Sequence, residues 1–199
     1  MYILNHCRIS KGIISDSDGI VFDSQGNNLA YFLKEFYKFD KIIYPKFYKM
    51  DEQCKLAFIA SEVLFRNFRR DDYADEELAM IFANSDSTLT TDMSFWDSTF
   101  AIASPGLFVY TLPNIMLGEI AIRNKIKGEN IFFISREYDP KLLYNQTELV
   151  FQNTNTKIAI VGWVNYENDT SYLAKLFLVS KSDEAKNIFS LENLINLNN

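Results

Sequence analysis

Four stretches of the chain are short and predominantly apolar. They are Leu78–Ala83, Ile131–Ile134, Lys157–Gly162 and Tyr172–Ser180. Runs of that length, bounded by turn residues, read as strands in a sheet covered on its faces. The first ten residues mix apolar and polar positions and read as a further strand, and Ile20–Phe22 as a short one within a turn-rich loop. That loop includes Gln25–Asn28, a second turn signal.

Between the strands the spacing turns helical. Leu29–Phe39 carries Tyr31, Phe32, Phe36 and Tyr37, which can form one buried aromatic face. Asp51 suits the N-cap of an amphipathic helix whose Leu56, Ala60, Val63, Leu64 and Phe68 recur on one face. Arg66, Arg69 and Arg70 follow near its end, where cations complement the helix dipole. They read as a solvated terminus, with contact to an acidic partner as the second reading. Asn114–Lys125 and Leu142–Phe151 resume helical spacing. Ser104–Pro105 breaks the chain, and Leu191–Asn199 reads as a short helix with a frayed end. Strands and helices alternate with short connections and no linker or repeat. This predicts one α/β domain over 1–199, with a mixed sheet of about five strands flanked by helices.

Composition narrows the chemistry. The chain has 199 residues, is 48% apolar and 23% charged, and therefore can build a core. Its net charge of −6 argues against a nucleic-acid partner, which needs clustered Lys and Arg. Cys7 and Cys54 make no disulfide framework, which points to a reducing, cytoplasmic setting. No run approaches the ~18 apolar residues of a membrane span, and the N-terminus lacks the pattern of a secretory signal. One histidine, His6, excludes sites that take two His from one chain. His6 itself reads as a strand histidine with local hydrogen bonds. No phosphate-binding or dinucleotide motif is present, so no cofactor and no metal is expected. Asp86, Ser87 and Asp92 match no loop of known metal-ligand order. They read as helix caps and a turn after the Leu78–Ala83 strand. Glu119 reads as a solvent-facing or capping carboxylate; buried, it would be a candidate acid.

Residues 103–130 carry a more specific pattern. Ser104–Pro105, Phe108, Pro113–Asn114, Gly118 and Lys127–Gly128–Glu129–Asn130 resemble, in order and spacing, the β-ketoacyl synthase family of the thiolase fold. Lys49–Asp51 with its helix, Ala79–Asp92, and Ile158–Asn165 extend the resemblance over roughly 45–166. The resemblance implies a thiolase-like N-terminal half. It also places Glu137 where active members carry the nucleophilic cysteine. A thioester acyl transfer needs a nucleophile that also leaves well, which a thiolate is and a carboxylate is not. The family's catalytic histidines come from its second half, and this chain has the length of one half.

Chain-length-factor subunits of the family also lack the cysteine and pair with an active ketosynthase. The resemblance therefore implies a non-catalytic partner or acyl-carrier binder in fatty-acid, polyketide or aryl-polyene type biosynthesis. One alternative is a 3-oxoacyl-[acyl-carrier-protein] synthase or acyltransferase component active only with a second chain. Another is a structural dimer without acyl chemistry. Arg123, Lys125 and Lys127 form a candidate docking patch for acidic acyl carrier protein, with a solvated helix end as the plainer reading. In the family the strand before the nucleophile pairs across a two-fold axis. Ile131, Phe132, Phe133 and Ile134 are thus the candidate strand for a homodimer or for a heterodimer with a full-length ketosynthase.

Overall fold

The computed structural model describes residues 1–24, 28–182 and 187–196. The turn expected at 25–28 and the frayed end at 197–199 lie largely outside the described residues. The elements in chain order are β1 (Tyr2–Ser10), β2 (Ile13–Asp16), β3 (Gly19–Asp23), α1 (Leu29–Phe39), α2 (Glu52–Phe65) and β4 (Leu78–Asn84). Then come α3 (Leu89–Ser98), α4 (Pro105–Val109), α5 (Ile115–Asn124), β5 (Asn130–Ile134) and α6 (Pro140–Asn153). The chain closes with β6 (Ile158–Asn168), β7 (Ser171–Ser180), β8 (Asn187–Ile188) and α7 (Leu191–Asn196).

Among the described residues the sheet has eight strands in the order β3-β2-β1-β7-β6-β4-β5, with β8 paired to β1. Parallel pairing joins β4 to β5 and to β6; the other pairs are antiparallel. The expected count of about five is corrected upward. The path β1-β7-β6-β4-β5 accounts for five strands, β3 is the short strand read at Ile20–Phe22, and β2 and β8 are additions. β2 escapes the pattern because Lys11–Gly12, both at positive φ, turn the chain back on β1 after two residues.

Period-two alternation divides the central strands between two cores. Leu78, Met80 and Phe82 of β4 join Ile158, Ile160, Leu176 and Leu178 under α1, α2 and α5. Ala79, Ile81 and Ala83 join Val161, Trp163, Phe177 and Val179 under α6 and α7. Each fully buried Leu or Phe contributes about 1.5–3 kcal/mol by leaving water.

Further expectations change. The helix opened by Asp51 is not amphipathic: Gln53 to Ser61, Val63 and Leu64 are all buried, because α2 lies between the sheet and α1 and α5. Its N-cap is as expected, with Asp51 accepting from the Cys54 N–H at 2.8 Å. Ser104–Pro105 starts a helix instead of ending one. The Ser104 hydroxyl accepts from Leu107 N–H, and Pro105 takes the first helical position, where its missing N–H costs nothing. Residues 89–98, to which the sequence pattern assigns no helix, form α3. Finally, Ile131–Ile134 is a half-exposed edge strand, since among the described residues β5 pairs only β4.

Candidate functional site

The carboxyl ends of β4, β5 and β6 meet at one end of the sheet, where α/β folds commonly hold ligands. Asn84 ends β4 and is fully buried. Its amide donates to Ser87 O at 2.7 Å and to Gln53 Oε1 at 3.2 Å, while its Oδ1 accepts from Ser87 N–H at 2.9 Å. This closes a tight turn that places Ser87 at φ 53°. Asp86 Oδ2 accepts from Ser85 Oγ at 2.8 Å and from Asn165 Nδ2 at 3.1 Å. Thr88 Oγ1 lies 3.3–3.4 Å from the Asp92 carboxylate and donates to Thr111 O at 2.8 Å. The polar groups of this loop thus satisfy one another, as the caps-and-turn reading expects. Among the described residues no cluster of three His, Cys, Asp or Glu has metal-binding geometry.

β5 continues from Ile134 into Ser135, whose N–H bonds to Asn84 O at 2.9 Å. Arg136 and Glu137 are exposed in the connection to α6, and the Ser135 hydroxyl donates to Glu137 O at 3.0 Å. Glu137 lines an open cleft of about 460 Å³ with Arg8, Arg136, Tyr138, Trp163 and Asn165. Tyr138 stands edge-on to Trp163, with ring centroids 6.2 Å apart. Its hydroxyl is buried without a hydrogen-bond partner among the described residues, and burial pushes its pKa up.

Behind this cleft lies a residue the sequence reading missed. Lys175 of β7 is only 3% exposed. Its ammonium sits 4.7 Å from the Tyr138 ring centre and 5.6 Å from that of Phe177, and donates to Leu194 O at 3.4 Å. Burial, with a smaller contribution from Arg8, pushes its pKa down to about 8. A lone Lys at an inward position of the run Tyr172–Ser180 was the available signal.

Neither thiol is presented to a substrate. Cys7 in β1 and Cys54 in α2 are both buried and unbonded, and burial raises both pKa values. A raised pKa leaves less thiolate and so less nucleophile. His6 is the expected strand histidine. Its Nδ1 lies 3.0 Å from Ser17 Oγ, and burial lowers its pKa.

Glu119 departs from expectation. It faces inward, 7% exposed, and accepts from Tyr44 Oη at 2.9 Å and from Lys46 Nζ at 3.4 Å. The basic trio is largely committed within the fold. Arg123 holds Glu62 with Nε and Nη2 at 3.0 and 2.9 Å, and Lys127 pairs with Asp75 at 3.0 Å. Lys125 caps α5 in the left-handed conformation, φ 53°. Near the end of α2, Arg66 pairs with Asp40 at 2.5 Å and Arg70 with Asp75 at 2.6 Å.

No protein-family model and no curated protein matches the sequence. Solved structures do match in fold. The ishigamide ketosynthase/chain length factor aligns with TM-score 0.66 at 15% identity, over 94% of this chain and 63% of that one. The fold is ketosynthase-like. A ketosynthase (ApeO) in complex with its chain length factor (ApeC) from Xenorhabdus doucetiae gives TM-score 0.56 at 11% identity, over 92% and 81% of the chains. AntDE:AntF, a type II PKS acyl-carrier protein in complex with its ketosynthase bound to the hexaketide, gives 0.62 at 10%, over 90% and 62%. The chain spans less than two thirds of the first and third of these. The expected fold class, a mixed α/β sheet flanked by helices in the thiolase-like manner, is therefore observed. Among the described residues no helix is long and apolar enough to cross a membrane.

Proposed function

We propose that this chain is a non-catalytic ketosynthase-like subunit that pairs with a full-length ketosynthase through β5. The observation that carries the reading is the open edge of that strand. Among the described residues β5 bonds only to β4, and Ile131, Phe132 and Phe133 are half-buried while Ile134 is 63% exposed. An apolar edge with free backbone groups is a template for another strand. The α3–α4 region adds exposed apolar area, with Trp96, Phe100 and Ile102 at 64, 78 and 86% exposure. Patches of this kind are uncommon on proteins that act alone.

In this reading Glu137 replaces the nucleophile, and the two buried cysteines cannot substitute for it. Lys125 and Lys127, with Arg123 behind them, would meet the acidic surface of an acyl carrier protein, Glu62 and Asp75 already screening two of the three charges. The pathway is of the polyketide or aryl-polyene type, in keeping with the assemblies whose fold it shares.

The test is twofold. The pure chain, given acyl- and malonyl-carrier thioesters, is expected to make no condensation product, and Glu137→Cys alone is expected not to create one, because the thiol would lack a base and an oxyanion partner. Co-expressed with the full-length ketosynthases of its own genome, the tagged chain is expected to retain one of them. Turnover by the pure chain, or retention of none, overturns the proposal.

A further inference from the structure

A second concave site lies away from Glu137. Arg123 and Asn124 end α5 just ahead of the amino end of β5, whereas Glu137 follows its carboxyl end. Here the ends of α1, α2 and α5 enclose an open cleft of about 530 Å³, within the usual few-hundred to ~1,000 Å³ range of small-ligand sites. Lys41, Arg66, Arg70 and Arg123 line it against only two carboxylates, Asp40 and Glu62. Asp75 pairs with Arg70 from outside the lining, which leaves a local excess of one positive charge, at Lys41, in a chain whose net charge is −6. Ile42, Phe65 and Phe68 supply an apolar wall.

The four cations are not equivalent. Arg70 is structural: it donates to Asn124 O, Tyr73 O, Lys125 O and Asp75 at 2.5–2.7 Å, locking the end of α5 to the segment after α2. Arg123 gives its Nε and Nη2 to Glu62 and Nη1 to Ile43 O at 3.2 Å. Arg66, stacked 5.3 Å from the Phe36 ring centre, gives one nitrogen, Nη2, to Asp40. A guanidinium has five N–H groups, so Arg66 keeps donors to offer. Lys41 is exposed and held at φ 53° at the turn after α1.

We propose that this cleft binds a phosphate monoester carried on an apolar or aromatic body. The lining donors stand on three separate elements, the turn after α1 and the ends of α2 and α5. Three terminal phosphate oxygens can use such an arrangement, whereas a carboxylate is satisfied by a single guanidinium fork. The apolar wall of Ile42, Phe65 and Phe68 accounts for the organic body. The inference is independent of the partner reading above.

The experiment titrates the full chain with phenyl phosphate by calorimetry and by amide chemical shifts. Benzoate and inorganic phosphate serve as the carboxylate and the bare-anion probes. Saturable phenyl phosphate binding is expected, tighter than either, with shifts at Lys41, Arg66 and Phe68. Arg66→Gln and Lys41→Gln are each expected to weaken it about tenfold, the worth of one charge-assisted contact at ~1.4 kcal/mol. Lys141→Gln, exposed on α6, is expected to leave it unchanged. Lys41→Gln, at an exposed turn, keeps the test readable if Arg66→Gln fails to fold. Flotation with phosphatidate or phosphatidylcholine vesicles separates the sources. Phosphatidate-only binding that phenyl phosphate displaces assigns the site to a lipid headgroup, and no vesicle binding assigns it to a soluble ester. Absence of saturable phenyl phosphate binding, equal binding of benzoate, or binding indifferent to both Gln variants overturns the proposal.

Discussion

The Tyr44 hydroxyl donates to Glu119 Oε2 at 2.9 Å, joining the segment ahead of α2 to the middle of α5 around a carboxylate that is 7% exposed. The Tyr44 ring is stacked on Phe58, with centroids 5.1 Å apart, so Tyr44→Phe keeps the packing and removes only the donor. Glu119 would be left with Lys46 at 3.4 Å. The expected loss is about 1–3 kcal/mol, read from urea unfolding at pH 7. The pH dependence follows from the raised pKa of Tyr44, pushed up to about 12 by burial and then by its bond to Glu119. The protonated hydroxyl is the form the fold prefers. Its contribution is fully present below the ordinary tyrosine pKa of about 10 and is lost as pH rises toward 12. The difference between wild type and Tyr44→Phe should be flat up to pH 10 and then close. A difference that widens above pH 10 would refute the assignment.

Much of this arrangement is legible in the sequence, and the parts that are not share a cause. The runs at 78–83, 131–134, 157–162 and 172–180 announce their strands because both faces, or nearly so, meet core. Asp51 announces its helix because a side-chain cap is a local device. The all-round burial of α2 is not local: Lys55 is buried yet paired with Glu52 three residues back at 3.0 Å, and that pairing lets charged residues stand where a one-sided stripe would exclude them. The same holds for Glu119, whose inward orientation depends on Tyr44, 75 residues earlier. Of the candidate site, the position of Glu137 after a strand was readable. The cleft around it was not, because Arg8, Tyr138 and Trp163 come from three distant segments that only the sheet order brings together.

Lys175→Met should stabilise the protein at neutral pH. The lysine is buried beside Tyr138 and Phe177, and burial holds its pKa near 8, below the ordinary 10.5. The neutral amine is the form the fold prefers, so the penalty for charging it is full below pH 8 and gone above about 10.5. Replacing such a group by an apolar one of similar length removes the penalty. The urea midpoint of the variant should exceed that of wild type at pH 7, and the two should converge as pH rises from 8 to 10.5. A lower midpoint at pH 7 would mean that the Leu194 carbonyl and the two rings repay the burial.

Gly162→Ala should be among the most damaging single changes. Gly162 pairs with Leu176 in the centre of the β6–β7 ladder. A Cβ there would overlap the Lys175 carbonyl oxygen and meet Leu176 Cα at 2.9 Å. Both are backbone atoms in the middle of the sheet and cannot rotate away. Overpacking of this kind costs ~1–3 kcal/mol where side chains give, and more where backbone must move. The variant is expected in inclusion bodies or with its thermal midpoint lowered by many degrees. Gly118→Ala in α5 is the matched control, since an added Cβ there meets nothing within 4 Å. It should match or exceed wild-type stability, alanine being the better helix former. Equal behaviour of the two variants would remove the close-approach argument.

The open edge of β5 supplies the sharpest test of association. Ile134 projects from the end of the strand at 63% exposure, so Ile134→Glu costs little burial in the free chain. In a strand pair it would place a charge against apolar neighbours, which natural edge strands use to prevent pairing. Phe133→Glu is the stronger variant, because Phe133 also packs partly against the core of Ala83 and Val161. An unpaired charge there disfavours both the fold and any partner. At micromolar concentration, light scattering should show wild type heavier than one chain, or bound to a co-expressed ketosynthase. Ile134→Glu should be a folded monomer that no longer binds, with an unchanged circular dichroism spectrum. Tyr31→Glu, at an exposed position on α1, should leave association intact. If Ile134→Glu associates as wild type does, β5 is not the contact. Loss of binding in Tyr31→Glu as well would show that added negative charge, not the strand edge, is what the partner rejects.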